Sequence, residues 1–263
     1  MVTVGGMIMR RFYCAVLAAA AVIGFASVAS AADLPTKAPV YTAPPVVAYN
    51  WSGVYAGVSI GWEHNNADYI LTNPIPATIP PASMSSDEAV FGGHLGVQYQ
   101  WNNVVLGIEA AGVGNFGSVY ASKNNCYATA VGGTCQVHTD ALTTVGGRLG
   151  WAWNDWMVYG TGGWARANVS SNFIQNSGFV FDNTQNHQSG WYVGGGVDYL
   201  LVKGPYADLI TGLEYQHVDL GTAYHASSAD GFGPSPPGAN GRNISVTEDI
   251  VRVRLTVKIN PFR

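Results

Sequence analysis

The chain has 263 residues, is 48% hydrophobic but only 11% charged, contains 33 Gly, and carries a formal net charge of −4. With Arg10 and Arg11 set aside as part of an export signal, 10 basic residues face 16 acidic ones, a balance that argues against nucleic acid as a partner. Beyond the first thirty residues no stretch reaches the roughly 18 apolar residues that a membrane-spanning helix requires.

Arg10-Arg11, the apolar run Phe12 to Val28 and Ala29-Ser30-Ala31 read as the charged, apolar and cleavage regions of a secretory signal peptide over 1–31. Cys14 lies outside any lipobox context. Residues 32–50 carry Pro35, Pro39, Pro44 and Pro45 and read as an extended periplasmic leader. Residues 51–263 are assigned to one domain.

That domain reads as eight segments with period-two alternation, the signature of a strand between two different environments. The first sets Val54, Ala56, Val58 and Ile60 against Tyr55, Gly57, Ser59 and Gly61. The second sets Phe91, Leu95, Val97, Tyr99 and Trp101 against His94, Gly96, Gln98 and Gln100; the third, Val104, Leu106, Ile108 and Ala110 against Gly107 and Glu109. The fourth sets Val145, Leu149, Trp151 and Trp153 against Asp140, Thr144 and Arg148. The fifth, Trp156 to Ala167, is Gly-rich and its faces are left unassigned. The sixth sets Trp191, Val193, Val197 and Tyr199 against Gly194, Gly196 and Asp198; the seventh, Leu209, Leu213 and Tyr215 against Gly212, Glu214 and Gln216. The eighth sets Val251, Val253, Leu255, Val257 and Ile259 against Arg252, Arg254, Thr256 and Lys258.

The connections alternate in length. Asn102-Asn103, Asn154-Asp155 and Val202 to Pro205 are short; Glu63 to Glu88, Gly117 to Val137, Val169 to His187 and Gly221 to Arg242 are long. Tight turns on one side and long loops on the other mark an all-β, eight-stranded antiparallel up-and-down transmembrane barrel, with short periplasmic turns and long extracellular loops. Trp51, Trp101, Trp153 and Trp156 sit beside the short turns, and Trp62, Trp164 and Trp191 near the long loops, as two interfacial aromatic girdles would. The expected location is therefore the cell outer membrane, with outer-membrane lipid and lipopolysaccharide as surroundings.

Two motifs are rejected. Gly57-Val58-Ser59-Ile60-Gly61 matches a nucleophile elbow but lies inside one alternating strand with no helix after it. Gly112-Val113-Gly114-Asn115-Phe116-Gly117 matches a dinucleotide fingerprint but runs into a loop. No spacing brings Ser and His, or Asp and His, together at the outer rim, so no enzyme is expected. His64, His94, His187 and His225 show no ligand spacing, and neither metal nor cofactor is assigned. Cys126 and Cys135 fall in the second long connection, where an oxidising periplasm favours one disulfide.

The charges on the strands are the candidate site. Glu109, Arg148, Asp198, Glu214, Arg252 and Arg254 fall on faces opposite the apolar stripes, inside the barrel. Glu109 and Arg148 lie on neighbouring strands, and Glu214 is placed to pair with Arg252 or Arg254. Eight strands leave an interior about wide enough for side chains, so these charges read as structural filling before they read as a conducting pore.

With its strands placed, the chain resembles the small eight-stranded outer-membrane proteins of alphaproteobacteria, related in architecture to OmpA-like and opacity-type barrels. The resemblance rests on Ala31-Ala32-Asp33-Leu34-Pro35, Trp51-Ser52-Gly53-Val54-Tyr55-Ala56-Gly57, Gly107-Ile108-Glu109-Ala110, Gly147-Arg148-Leu149-Gly150-Trp151, Tyr159-Gly160-Thr161-Gly162-Gly163-Trp164-Ala165 and Gly190-Trp191-Tyr192-Val193-Gly194-Gly195-Gly196-Val197. It implies a non-enzymatic envelope component with surface roles, inserted by the barrel-assembly machinery. A small porin-like channel and a surface receptor for haem or host ligands are the alternatives. One departure is the end of the chain: such barrels usually finish on an aromatic residue, whereas here Phe262 is penultimate and follows Pro261.

Overall fold

The structure, a computed structural model, describes residues 49–71, 82–117, 120–124, 133–175, 178, 180–226 and 241–259. The expected signal peptide and nearly all of the leader lie outside the described residues. The second of two compact units begins at Val47, a few residues before the expected domain start.

Among the described residues there are nine strands: β1 (Gly53–Leu71), β2 (Ala82–Trp101), β3 (Val104–Asn115), β4 (Ala121–Asn124), β5 (Gly133–Trp153), β6 (Trp156–Gln175), β7 (Val180–Val202), β8 (Ala207–Ala226) and β9 (Gly241–Ile259). The pairings are antiparallel. β1 bonds both β2 and β9, and β3 bonds β5, so eight strands close into a ring with no free edge. The ninth, β4, takes over where β3 stops: β3 pairs with β5 from Ala141 to Trp151, and β4 with β5 from Thr134 to Val137.

Asparagine makes two of the tight turns. Asn102 and Asn154 have φ of 54° and 53°, a left-handed conformation that Asn tolerates better than most residues. Asn103 then closes the first turn twice, accepting a bond from the Ala152 amide at 2.7 Å and donating its side-chain amide to the Ala152 carbonyl at 2.8 Å.

The alternation sets two surfaces. Val54, Val58, Ile60 and Trp62 on β1, and Val251, Val253, Leu255, Val257 and Ile259 on β9, point outward and are exposed, as a lipid-facing belt must be. The Gly-rich β6 resolves cleanly: Met157, Tyr159, Thr161 and Ala165 turn inward, and Trp156, Val158 and Trp164 outward. The inward row is bulky because the neighbouring strand supplies glycines beneath it. A Cβ on Gly96 would lie 2.5 Å from the Tyr55 ring, and one on Gly196 2.5 Å from the Tyr159 hydroxyl.

The structure departs from the sequence reading over the long connections. The span from Glu63 to Glu88 is mostly strand, since β1 runs to Leu71 and β2 starts at Ala82; the other three connections shorten likewise. Seven of the ring strands have 19 to 23 residues, about twice the 9–11 needed to cross a bilayer. The barrel wall therefore continues well past Trp62, Trp164 and Trp191. The sequence reading ended the strands where the apolar/polar alternation fades, but above the bilayer a barrel wall can be polar outside and remain a strand.

Apolar side chains seal both ends of the interior. Tyr49, Trp51, Val105, Ala152, Met157, Leu200 and Ile210 pack together at the short-turn end. Ala67, Tyr69, Met84, Val137, Val169, Ile244 and Val246 belong to a larger cluster in the extension above the belt.

Placing a cation in the middle of the lipid-facing belt tests this orientation. Leu255→Arg is expected to lower the unfolding free energy in lipid by about 2–4 kcal/mol, and Thr247→Arg, outward on the same strand but above the aromatic level, by about 0–1 kcal/mol, measured by urea titration of intrinsic fluorescence.

Candidate functional site

The six charges singled out in the sequence meet in one buried network. Glu214 on β8 is its hub. It accepts from Arg252 through Nε at 2.9 Å and Nη2 at 2.6 Å, from Arg254 through Nη1, and from the Tyr159 hydroxyl at 2.7 Å. Arg254 then crosses the lumen, and its Nη2 reaches Glu109 on β3 at 2.5 Å. Glu109 also accepts from the Tyr55 hydroxyl at 2.9 Å and stands 3.7 Å from Arg148 Nη1. Arg148 in turn bonds Asp198 on β7 and lies over the Tyr159 ring, 3.5 Å from its centroid. Glu214 thus pairs with both arginines that the sequence offered as alternatives.

Sequence reasoning missed the tyrosines and a lower ion pair. Tyr55 and Tyr159 were assigned to the barrel with no role, yet each caps a carboxylate. Near the short turns, Lys258 Nζ stands 3.6 Å from Asp208 Oδ2, which also accepts from the Tyr49 hydroxyl at 2.7 Å. In this lower lumen Arg148, Arg252, Arg254 and Lys258 are matched by Glu109, Asp198, Glu214 and Asp208. Four cations meet four carboxylates, and the net charge is zero. Pairing of this kind is what makes buried charge tolerable.

Three placements differ from expectation. Trp51, assigned to the girdle, is fully buried and packs edge-on against Tyr49 at 5.0 Å, so it belongs to the lower seal. It precedes β1, where no strand alternation holds it outward. Trp62, Trp101, Trp153, Trp156, Trp164 and Trp191 are all exposed on the outer wall. Glu63 and Glu88, read as the ends of a long connection, are buried inside the barrel just past the outer aromatic level, as is Glu248. Finally, the ladder brings Asp and His together twice on the outer wall, contrary to the sequence reading. His64 Nδ1 meets Asp87 at 2.7 Å, and His217 Nδ1 meets Asp249 at 2.8 Å, with the Tyr215 hydroxyl 2.6 Å from the same carboxylate. The signal was register: His64 is opposite both Asp87 and Asp249, which no sequence spacing displays.

The remaining histidines do not converge. His94 points inward and bonds Thr256 at 2.8 Å, while His225 contacts Gln188 at 3.1 Å. Among the described residues no group of three or more His, Cys, Asp or Glu is arranged to hold a metal ion. Cys135 is fully buried on β5; Cys126 lies outside the described residues.

A closed antiparallel ring with an apolar outer belt, aromatic ends and a sealed polar lumen defines a transmembrane β-barrel of the outer-membrane type. The family described as the outer membrane protein beta-barrel domain matches residues 18–247, and the chain belongs to it. Among its relatives, the 31 kDa outer-membrane immunogenic protein of Brucella melitensis is 30% identical over 207 residues, covering 75% of this chain and 83% of that protein. The 25 kDa outer-membrane immunogenic protein of Brucella ovis is 26% identical over 215 residues, covering 81% and 92%. Similar solved structures include the outer membrane protein OprG of Pseudomonas aeruginosa (12% identity, 78% of this chain and 96% of that chain, TM-score 0.43) and the outer membrane protease OmpT of Escherichia coli (10%, 79% and 97%, TM-score 0.44). The protein is thus an outer-membrane β-barrel protein.

Removing the hub carboxylate tests the network. Glu214→Gln leaves two buried guanidinium groups short of a counter-charge and is expected to cost roughly 3–5 kcal/mol of stability in urea titrations. Tyr159→Phe removes one hydrogen bond to the same carboxylate and should cost about 1–3 kcal/mol.

Proposed function

We propose that the protein is a non-enzymatic barrel that contributes to envelope integrity and presents its extramembrane strands and loops at the cell surface. The observation that carries this reading is the filled lumen, in which an apolar seal, a charge-neutral network and a second apolar seal follow one another along the axis. Ions crossing it would have to displace paired charges and then an apolar cluster. The outer Asp–His pairs do not alter the reading. Among the described residues neither His64 nor His217 hydrogen-bonds a Ser, Thr or Cys, so neither has a side-chain nucleophile to activate.

The reading carries finer assignments with it. Export would proceed through the signal peptide over 1–31, and insertion through the barrel-assembly machinery. The belt and girdle would be covered by outer-membrane lipid and lipopolysaccharide. A Cys126–Cys135 disulfide would pin the connection between β4 and β5, supported by the burial of Cys135. The relatives' designation as outer-membrane immunogenic proteins agrees with surface display.

The second reading, a small porin-like channel, is favoured by the charged side chains of the lumen. Planar-bilayer recording separates the two. The refolded protein, its insertion verified by heat-modifiable gel mobility, is expected to stay silent, and Arg254→Ala is expected to introduce steps by breaking the bridge from Glu214 to Glu109. Reproducible steps from the unaltered protein would replace the first reading with the second.

A further inference from the structure

The lipid-facing wall is not uniform. Most of the belt carries Val, Leu, Ile and Trp, but β5 and β6 present Gly147, Gly160 and Gly162 to the outside, and Gly147 and Gly162 are direct cross-strand partners. These three floor an open groove of about 520 Å³, with Leu106, Leu149 and Val193 among its sides. The barrel itself does not require glycine at the two deepest points. A Cβ on Gly147 would meet nothing within 4 Å, and one on Gly160 only the Gly194 carbonyl at 3.9 Å. Glycine inside a strand costs stability, and it commonly marks a place where a ligand approaches the backbone closely.

The outward face of β6 continues from this groove toward the outer end of the barrel. Its next positions are Trp164, paired with Trp191 on β7, and then Arg166, roughly 6–7 Å further along the strand. All three side chains are exposed. Arg166 lies between Thr143 on β5 and Ser189 on β7, neither of them charged. Among the described residues its side chain has no hydrogen-bond or ion-pair partner. Asp140, further out on β5, is held by Asn168, Ser170 and His138. The other described cations stand elsewhere. Arg148, Arg242, Arg252, Arg254 and Lys258 are buried inside, Lys203 lies in a short turn, and Lys123 reaches the Ser83 carbonyl from β4. The single cation that the described outer wall offers near the outer aromatic level is therefore in line with the groove.

We propose that this face of the barrel binds one molecule of lipid A, the phosphorylated, multiply acylated glycolipid of the outer leaflet. One acyl chain lies in the glycine groove between Leu149 and Val193. Trp164 and Trp191 flank the chain where it meets the sugar, the level at which tryptophan is favoured in a membrane. Arg166 holds a phosphate, which its planar guanidinium matches through two parallel hydrogen bonds. Asn168 and Ser189 beside it are hydrogen-bonding groups of the kind that a sugar engages, and this favours a glycolipid over a phospholipid. Read outward, β6 thus passes from glycine to tryptophan to arginine to asparagine, in the order in which such a lipid passes from hydrocarbon to sugar. The site deepens the lipid covering proposed above by giving it a fixed place.

Native mass spectrometry of the refolded full-length protein in detergent, its fold verified by heat-modifiable gel mobility, tests the site with bis-phosphorylated lipid A, phosphatidylglycerol and phosphatidylethanolamine. One lipid A is expected to remain bound at concentrations where neither phospholipid does. Gly147→Leu fills the groove from an open position, and Arg166→Gln removes the cation. Each is expected to weaken lipid A binding by roughly five- to tenfold, and Arg166→Lys by less. Gly93→Leu, on β2 outside the groove and with only the Gly57 carbonyl at 3.7 Å, should leave binding unchanged. Equal retention of phosphatidylglycerol, or unchanged lipid A affinity in Arg166→Gln or in folded Gly147→Leu, would overturn the site. So would a dimer of the unaltered protein that Gly147→Leu dissociates, which would make the groove a contact between copies. Arg166 is exposed and its replacement leaves the barrel packing intact, so the test stands even where Gly147→Leu does not fold. Loss of the site would leave the sealed lumen untouched, because bilayer silence is measured separately.

Discussion

Closing eight strands into a ring leaves an interior about as wide as the side chains that line it, and the rest of the structure follows from filling that space. Large inward side chains fit only where the adjoining strand has none. Gly96 makes room for Tyr55, Gly196 for Tyr159, and Gly212 for Asp198. Water is then too scarce to solvate charge, so each ionised group must find its partner within the lumen. Glu214 does this for two arginines of β9, and Arg254 extends the bridge to Glu109 on the far wall. The network also guards register. A one-residue slip of any contributing strand would turn its charge toward lipid.

The extension above the bilayer obeys a different rule. Its outer wall meets water and headgroups, so the exterior takes polar residues such as His64, Asp87, His217 and Asp249. Its interior changes from paired charge to carboxylates and then to an apolar cluster. The wall remains a strand ladder throughout, because backbone hydrogen bonds do not depend on what lies outside. A shared fold does not by itself assign an activity.

Much of this was legible in the amino-acid order. Period two separates lipid face from lumen face, so Glu109, Arg148, Asp198, Glu214, Arg252 and Arg254 were recognisable as interior residues before any pairing was known. The alternation of short and long connections indicated which end was which. Less legible was anything that depended on a strand continuing through polar residues. Glu63 and Glu88 looked like loop carboxylates because, above the membrane, both faces of a strand can be polar and the contrast that reveals periodicity fades. Trp51 looked like its neighbours in the girdle because its position before β1, rather than its type, turns it inward.

The sequence by itself determined the number of membrane-crossing strands, the faces of all but the Gly-rich β6 and the belt between the aromatic ends, since each follows from local alternation and from the apolar surface that lipid demands. Only the tertiary structure decided which charges meet. Arg254 and Glu109 are 145 positions apart, and Asn65 reaches Thr139 between strands that are not neighbours in the ring. Those contacts depend on barrel closure and stagger. Both are properties of all the strands together, with no expression in the order of residues along any one of them.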